Sequence, residues 1–322
     1  MSEPRSIEHH NSETRRAAES LRNAARRVVP RDIRNWLRSP SKSIEWLWDA
    51  TRYLFGSIDT LAITPDWSVV CHPRAYKIFQ RDQVDDPEQS LEFRSFISYC
   101  SNDMLLYDIG AHFGIFSLTA AHFGGRAIAV DPSPEAVKMI GIERALNKCT
   151  DRVQMFRVAV SDANDVIAML SSGVFSNGYF KIVSQRPQRE LTRVQAITID
   201  HMTLKFGTPT HIKIDVEGHE AAVLRGATVT LKQFSPILFI ELHNEMVAAM
   251  GSNPCIAVDE LRNLDYDIFA TDGHAIDKDA ILDRPIIRVI AKRRAVNDEG
   301  LTLNSARPST MGTETIRTFY DK

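Results

Sequence analysis

The chain has 322 residues, 43% of them hydrophobic and 25% charged, with a formal net charge of −2 at neutral pH. That composition suits a globular protein with a real core, one large domain with extensions or two small ones, and it excludes a global field that would draw nucleic acid. No apolar run reaches the roughly 18 residues of a membrane span, and the polar N-terminus lacks a signal-peptide core. The four cysteines (Cys71, Cys100, Cys149, Cys255) form no Cys-x-x-Cys pair, so the expected setting is reducing and cytoplasmic.

Residues 1–40 are rich in Arg and contain no Lys. They read as a basic, mobile tail, with an arm for an acidic membrane surface or partner as the functional alternative. In "SIEWLWDATRYLFGSI", Ile44, Leu47, Trp48, Thr51, Leu54, Phe55 and Ile58 recur at helical spacing, which predicts an amphipathic helix packed on the main domain or a second subunit. Three of the four Trp lie between 36 and 48, leaving a membrane-facing or homo-oligomer surface open. "DDPEQSLEFRSFISYC" predicts a helix entered through an acidic, Pro-bearing first turn. The expected organisation is a basic tail (1–40), a helical N-terminal extension (41–95), a main domain (96–293) and a disordered tail (294–322).

From residue 104 the pattern alternates. Strands are expected at 105–109, 126–130, 153–160, 211–215, 237–242, 266–270 and 286–292, and helices at 114–123, 134–147, 218–233 and 256–264. Such alternation implies an α/β fold with a mostly parallel sheet and helices on both faces. Only the polar loop "TDGHAIDKDAILDRP" separates the last two strands, so an antiparallel edge hairpin is expected there.

Ligands in open α/β sheets bind beyond the carboxyl ends of the strands, beside the first strand. The first strand ends in Asp108, and its loop carries Gly110, Ala111, His112 and Gly114. The glycines allow a sharp turn and close approach of a ligand. The second strand ends in Asp131, placed to accept both hydroxyls of a ribose. The loop is Asp-x-Gly-x-x-x-Gly, not the G-x-G-x-x-G of dinucleotide enzymes, and its acid would repel a pyrophosphate. S-adenosylmethionine, with an ammonium, a sulfonium and a ribose but no phosphate, suits Asp108 and Asp131. A third acid, Asp162 in "AVSD", can accept from the adenine amino group.

"DIGAHFG", "VDPSP", "AVSD", "ITIDHM", "HIKIDVEGHEAAVLRGA" and "PILFIELH" together resemble the FkbM-type S-adenosylmethionine-dependent methyltransferases over residues 90–292. Its most specific part is the second half, "KIDVEGHE…VLRGA…IELH". The resemblance implies a Rossmann-like class I methyltransferase fold with a seven-stranded sheet. It also implies O-methylation of a sugar or secondary metabolite. His112 departs from the family pattern, which usually has Asn there, although a His can still donate a hydrogen bond.

Strands four and five end "KIDVEGHE" and "IELHNE", which should bring Asp215, Glu217, His219, Glu241 and His243 to the cofactor edge. Methyl transfer needs alignment of acceptor and sulfonium, and an alcohol acceptor needs a general base. His243 and His219 are the expected bases by intrinsic pKa, with Asp215 and Glu241 orienting them or the acceptor. The same five residues could hold a divalent metal, either assisting methyl transfer or serving a metal-dependent hydrolase. An inactive membrane-associated binding module is a further alternative. Residues 163–197, long and polar, are expected to form a substrate-covering loop or hairpin.

Overall fold

The computed structural model describes residues 58–81, 86–171, 180–182 and 191–294. The basic tail, the 43–58 helix apart from Ile58, and the C-terminal tail therefore lie outside the described residues, together with the membrane and oligomer surfaces expected there. The chain divides into two compact units, one of Met1–Asp59 with His72–Arg74 and one of Thr60–Cys71 with Ala75–Lys322. The second carries the main sheet and the clefts described below.

In chain order the elements are β1 (Asp59–Thr64), β2 (Trp67–Cys71), α1 (Pro73–Gln80), α2 (Pro87–Tyr99), β3 (Leu105–Ile109), α3 (Ile115–His122), β4 (Arg126–Val130), α4 (Pro134–Leu146), β5 (Val153–Phe156), β6 (Ala159–Val160), β7 (Asp165–Ser171) and β8 (Phe180–Ile182). They continue as β9 (Leu191–Ile197), α5 (Ile199–Phe206), β10 (His211–Ile214), α6 (Glu220–Arg225), α7 (Thr228–Phe234), β11 (Ile237–Leu242), α8 (Asn244–Ala249), α9 (Cys255–Asn263), β12 (Tyr266–Ala270), α10 (Lys278–Leu282) and β13 (Ile287–Arg293).

Seven strands form the main sheet in the order β12-β13-β11-β10-β3-β4-β5. Its strands run parallel except β13, which lies antiparallel between β11 and β12. The expected edge hairpin is therefore present, and its loop holds the short helix α10. The strand order reverses between β10 and β3, and the crevice at that reversal is where α/β sheets bind ligands.

The strands are buried on both sides, and side chains alternate between the faces. Leu105, Tyr107 and Ile109 join Leu238, Ile240 and Leu242 on one face, against Met202, Leu224, Leu231 and Leu261 of α5, α6, α7 and α9. Leu106, Ala127 and Phe239 face the other way, against Phe79, Phe93, Leu118 and Ile140 of α1 to α4. Helices thus cover both faces, as the patterning predicts. α2 starts as expected, with Asp86 capping the amides of Glu88 and Gln89 and Pro87 in the first turn.

Three boundaries differ from the sequence reading. The strand expected at 153–160 is two strands, because the chain leaves the main sheet after Phe156 and β6 pairs with β9 in a separate four-stranded sheet, β6-β9-β7-β8. That sheet is what the described part of the 163–197 segment builds. The helix expected at 218–233 breaks into α6 and α7 around Gly226, where a Cβ would stand 2.1 Å from the Ser161 carbonyl oxygen, so the break packs against the end of β6. The extension expected to be helical over 41–95 contains the β1–β2 sheet.

Candidate active site

The loop after β3 is built by left-handed backbone. Gly110 has φ of 77°, and a Cβ there would lie 1.8 Å from the Asp215 carbonyl oxygen, so the loop and the end of β10 touch through a position only glycine can fill. His112 has φ of 49°. His and Asn are both enriched in that region, which accounts physically for either residue standing here. In this conformation the His112 amide donates to Asp131 Oδ2 at 3.0 Å, while Ser133 N–H donates to Oδ1 at 2.8 Å. Asp131 is buried, and burial pushes its pKa up to about 7 against the pull of these two donors.

Two clefts open beside this loop. The outer one, about 780 Å³, pairs Asp131 with an apolar wall of Val130, Pro132 and Val158–Val160. The inner one, about 530 Å³, is lined by charge: Glu92, Asp108, Lys213, Asp215 and Glu241. Gln89, Gly110, His112 and Asp215 line both, so the two are continuous. The combined size and the few convergent polar groups match a ligand site.

Alternation along the strands explains the inner charges. Lys213 pairs in register with Asp108 and Phe239, and Glu241 with Arg288, so these polar groups share the face that α2 covers. Asp108 is fixed by Ser117, whose N–H and Oγ–H donate to Oδ2 at 3.1 and 2.6 Å; burial raises its pKa to about 6. Glu241 receives a two-pronged contact from Arg288, 3.0 Å to each oxygen. Lys213 lies 2.9 Å from Glu92 on α2. Burial works against the Lys213 charge, but Glu92, Asp215 and Glu241 outweigh it and hold its pKa above the ordinary lysine range.

The second-half cluster divides. Asp215, Glu241 and His243 converge, with ligand-capable atoms all within 4.8 Å of one another. Asp215 has its pKa raised well above the usual carboxylate range, by burial first and then by the Glu241 charge. Glu217 and His219 stand apart from that trio, on the wall of the outer cleft. His219 Nε2 is 2.9 Å from Ser161 Oγ, and burial lowers its pKa.

Two expected roles change. His243 is only 4% exposed and is not among the residues lining either cleft. Its Nδ1 lies 2.8 Å from Glu220 Oε1, and its Nε2 faces Glu241 at 3.5 Å and Asp215 at 3.9 Å. Burial disfavours its charge, yet Glu220 and Asp215 outweigh that and raise its pKa to about 9. His243 sits behind the cleft wall among three carboxylates and does not face the space where an acceptor would lie. Asp162 is likewise absent from the cleft wall. Its carboxylate accepts from Arg225 Nε and a terminal guanidinium nitrogen at 3.2 and 2.8 Å, and that contact lowers its pKa.

Sequence reasoning missed Glu92, Lys213, Arg288 and Ser161. The one available signal was Lys213, a charge inside the apolar strand "HIKI" directly before the cofactor edge.

Sheet order, the single reversed strand β13 next to the edge and a glycine loop facing an acid at the end of the second strand together define a Rossmann-like methyltransferase fold. The family profile described as "Methyltransferase FkbM domain" matches residues 108–268, half of the chain, and the protein belongs to that family. Among solved structures, the chain is similar to methyltransferase FkbM from Methylobacillus flagellatus KT (17% identity, TM-score 0.43, covering 64% of this chain and 48% of that one). It is also similar to a precorrin-6y C5,15-methyltransferase from Geobacter metallireducens GS-15 (11% identity, TM-score 0.39, covering 65% and 90%). A third is the O-methyltransferase from Bacillus cereus in complex with SAH (12% identity, TM-score 0.37, covering 69% and 87%). The chain spans about half the length of the Methylobacillus protein. No curated protein matches it. None of the described helices is long and apolar enough to cross a membrane.

Proposed function

We propose that the protein transfers a methyl group from S-adenosylmethionine to a hydroxyl of a small-molecule acceptor, a sugar or a secondary metabolite. The observation that carries this is the continuous two-part cleft at the strand-order reversal, with Asp131 beside an apolar wall of Val130, Pro132 and Val158–Val160 in one part and a charged lining in the other. Bound there, S-adenosylmethionine supplies an electrophilic methyl group. Asp131, held rigid by two backbone donors, accepts from the ribose hydroxyls. Val158–Val160 offer an apolar surface to the adenine.

Asp215 stands where the two clefts join, beside the place where a methyl group would pass. Its carboxylate is the acid shared by both clefts, and so the group best situated to accept the proton of an attacking hydroxyl. His243, protonated behind it, keeps Asp215 and Glu241 from repelling each other. Glu217 and His219 on the outer wall are placed to orient the acceptor.

The convergence of Asp215, Glu241 and His243 is the feature that a metal-dependent reading would use. Arg288 already occupies both Glu241 oxygens and sets a fixed positive charge against a divalent ion, so methyl transfer without a metal is the reading proposed. The test is incubation of the protein and an isotopically labelled methyl donor with a metabolite extract, followed by mass spectrometry. A labelled product whose methyl sits on oxygen supports it; label on nitrogen or carbon only would overturn the O-methyl assignment.

A further inference from the structure

The inner chamber contains an ion pair that the reaction as described does not use. Lys213 and Glu92 are 3% and 2% exposed and 2.9 Å apart. Beyond this contact, among the described residues neither the Lys213 ammonium nor Glu92 Oε1 has a hydrogen-bond partner; Arg288 Nε lies 3.8 Å from the other Glu92 oxygen, and the ammonium stands 5.3 Å from the centre of the Phe116 ring. Such an arrangement is costly. Two ions taken from water are repaid only if good geometry and further hydrogen bonds satisfy their remaining donors and acceptors. Here the ammonium keeps donors and Oε1 keeps acceptor capacity beyond their mutual contact, and both groups face a cleft.

The surrounding charges narrow what could complete the pair. Of the described residues lining the inner chamber, Lys213 alone carries a fixed positive charge. Asp108 is turned to Ser117, and Glu241 to Arg288. A simple anion would meet Glu92, Asp108, Asp215 and Glu241; a simple cation would leave the Lys213 donors unmet. A zwitterion with adjacent opposite charges serves both members of the pair at once and adds no net charge.

We propose that Lys213 and Glu92 hold the amino-acid end of the methyl donor, with Lys213 donating to its carboxylate and Glu92 accepting from its ammonium. This rests on the methyl-donor reading above. Glu92 lies on α2, ahead of the segment matched by the family profile, so that helix is part of the donor site and not only packing.

The test uses the full-length protein, calorimetry and two ligands: S-adenosylhomocysteine and 5′-methylthioadenosine, which keeps the nucleoside and lacks the amino-acid end. Lys213→Met should weaken S-adenosylhomocysteine roughly tenfold to a hundredfold, the loss expected for a charge-assisted contact, with 5′-methylthioadenosine unchanged. Because Lys213→Met leaves Glu92 unpaired and could unfold the protein, the double variant Lys213→Met with Glu92→Gln removes both charges together and should show the same ligand-selective loss. Unchanged S-adenosylhomocysteine affinity in a folded variant overturns the proposal, as does equal loss of both ligands. Failure of the wild type to bind either ligand would instead overturn the methyl-donor reading itself.

Discussion

Glu220 and His243 are joined in the interior by a contact of 2.8 Å between Oε1 and Nδ1, and the Gly218 amide donates to the same oxygen at 2.9 Å. Glu220 begins α6 and His243 follows β11, so one buried pair ties the ends of two chain segments under the site. The pair makes a claim about pH. A histidine whose folded pKa is raised to about 9, from an unfolded value near 6.5, favours the folded state. That stability is fully present below about 6.5 and is lost as pH rises toward 9. The window spans about 2.5 pH units and is worth roughly 3 kcal/mol. Urea unfolding of wild type and His243→Gln should give curves that converge by about this amount between pH 6.5 and 9.5. Parallel pH dependences would mean that His243 is neutral in the fold.

Asp131 gives a binding prediction of opposite sense. Free, its pKa sits at about 7 because burial disfavours the carboxylate; ribose hydroxyls donating to it favour the ionised form. Affinity for S-adenosylhomocysteine should therefore fall as pH drops below 7, and binding near pH 6 should release protons. Calorimetry in buffers of different ionisation enthalpy reads this directly. Asp131→Ala should weaken binding about tenfold to a hundredfold and abolish the proton release. An unaltered affinity in a folded variant would remove Asp131 from the site.

What could be read from the sequence follows the range of the interactions involved. The first loop, with Asp108, Gly110 and Asp131, was legible because one β-α-β unit builds it from neighbouring residues. Strand positions were legible because burial on both faces leaves continuous apolar runs. The place of His243 behind the cleft was not legible because Glu220 and Asp215, residues 23 and 28 positions away, fix it there, and no local pattern reports those contacts. The pairing of Asp162 with Arg225 was hidden for the same reason. Glu92 is more remote still: nothing in "SLEFRSF" distinguishes its inward-facing acid from an ordinary exposed helix residue, and only the fold brings it to Lys213.

The contact between the first loop and the end of β10 predicts a severe effect from a small change. Gly110→Ala places a methyl 1.8 Å from a backbone carbonyl oxygen at a φ that Ala adopts poorly. Backbone on both sides must move, and overpacking of this kind costs about 1–3 kcal/mol or more. Thermal melting should show a large fall in Tm or an insoluble protein, whereas Gly273→Ala, in open space, should lose only what its own left-handed backbone requires. Equal melting of the two variants would mean the loop and β10 do not meet as described.

With the acceptor in hand, kinetics can separate Asp215 from the histidines. Asp215→Asn should keep affinity for S-adenosylhomocysteine within a few-fold while methyl transfer falls by roughly 10²–10⁴ in kcat, since a lost base matters only as the hydroxyl attacks. His219→Asn should act mainly on KM for the acceptor, because His219 lines the outer cleft and stands outside the Asp215–Glu241–His243 trio. The wild-type profile should rise as Asp215 ionises, above the usual carboxylate range. His243→Gln should move that acid limb to higher pH, because Asp215 would lose the neighbouring cation that favours its charge. An Asp215→Asn enzyme turning over at the wild-type rate would hand the proton to His219, whose lowered pKa leaves it neutral and able to accept one.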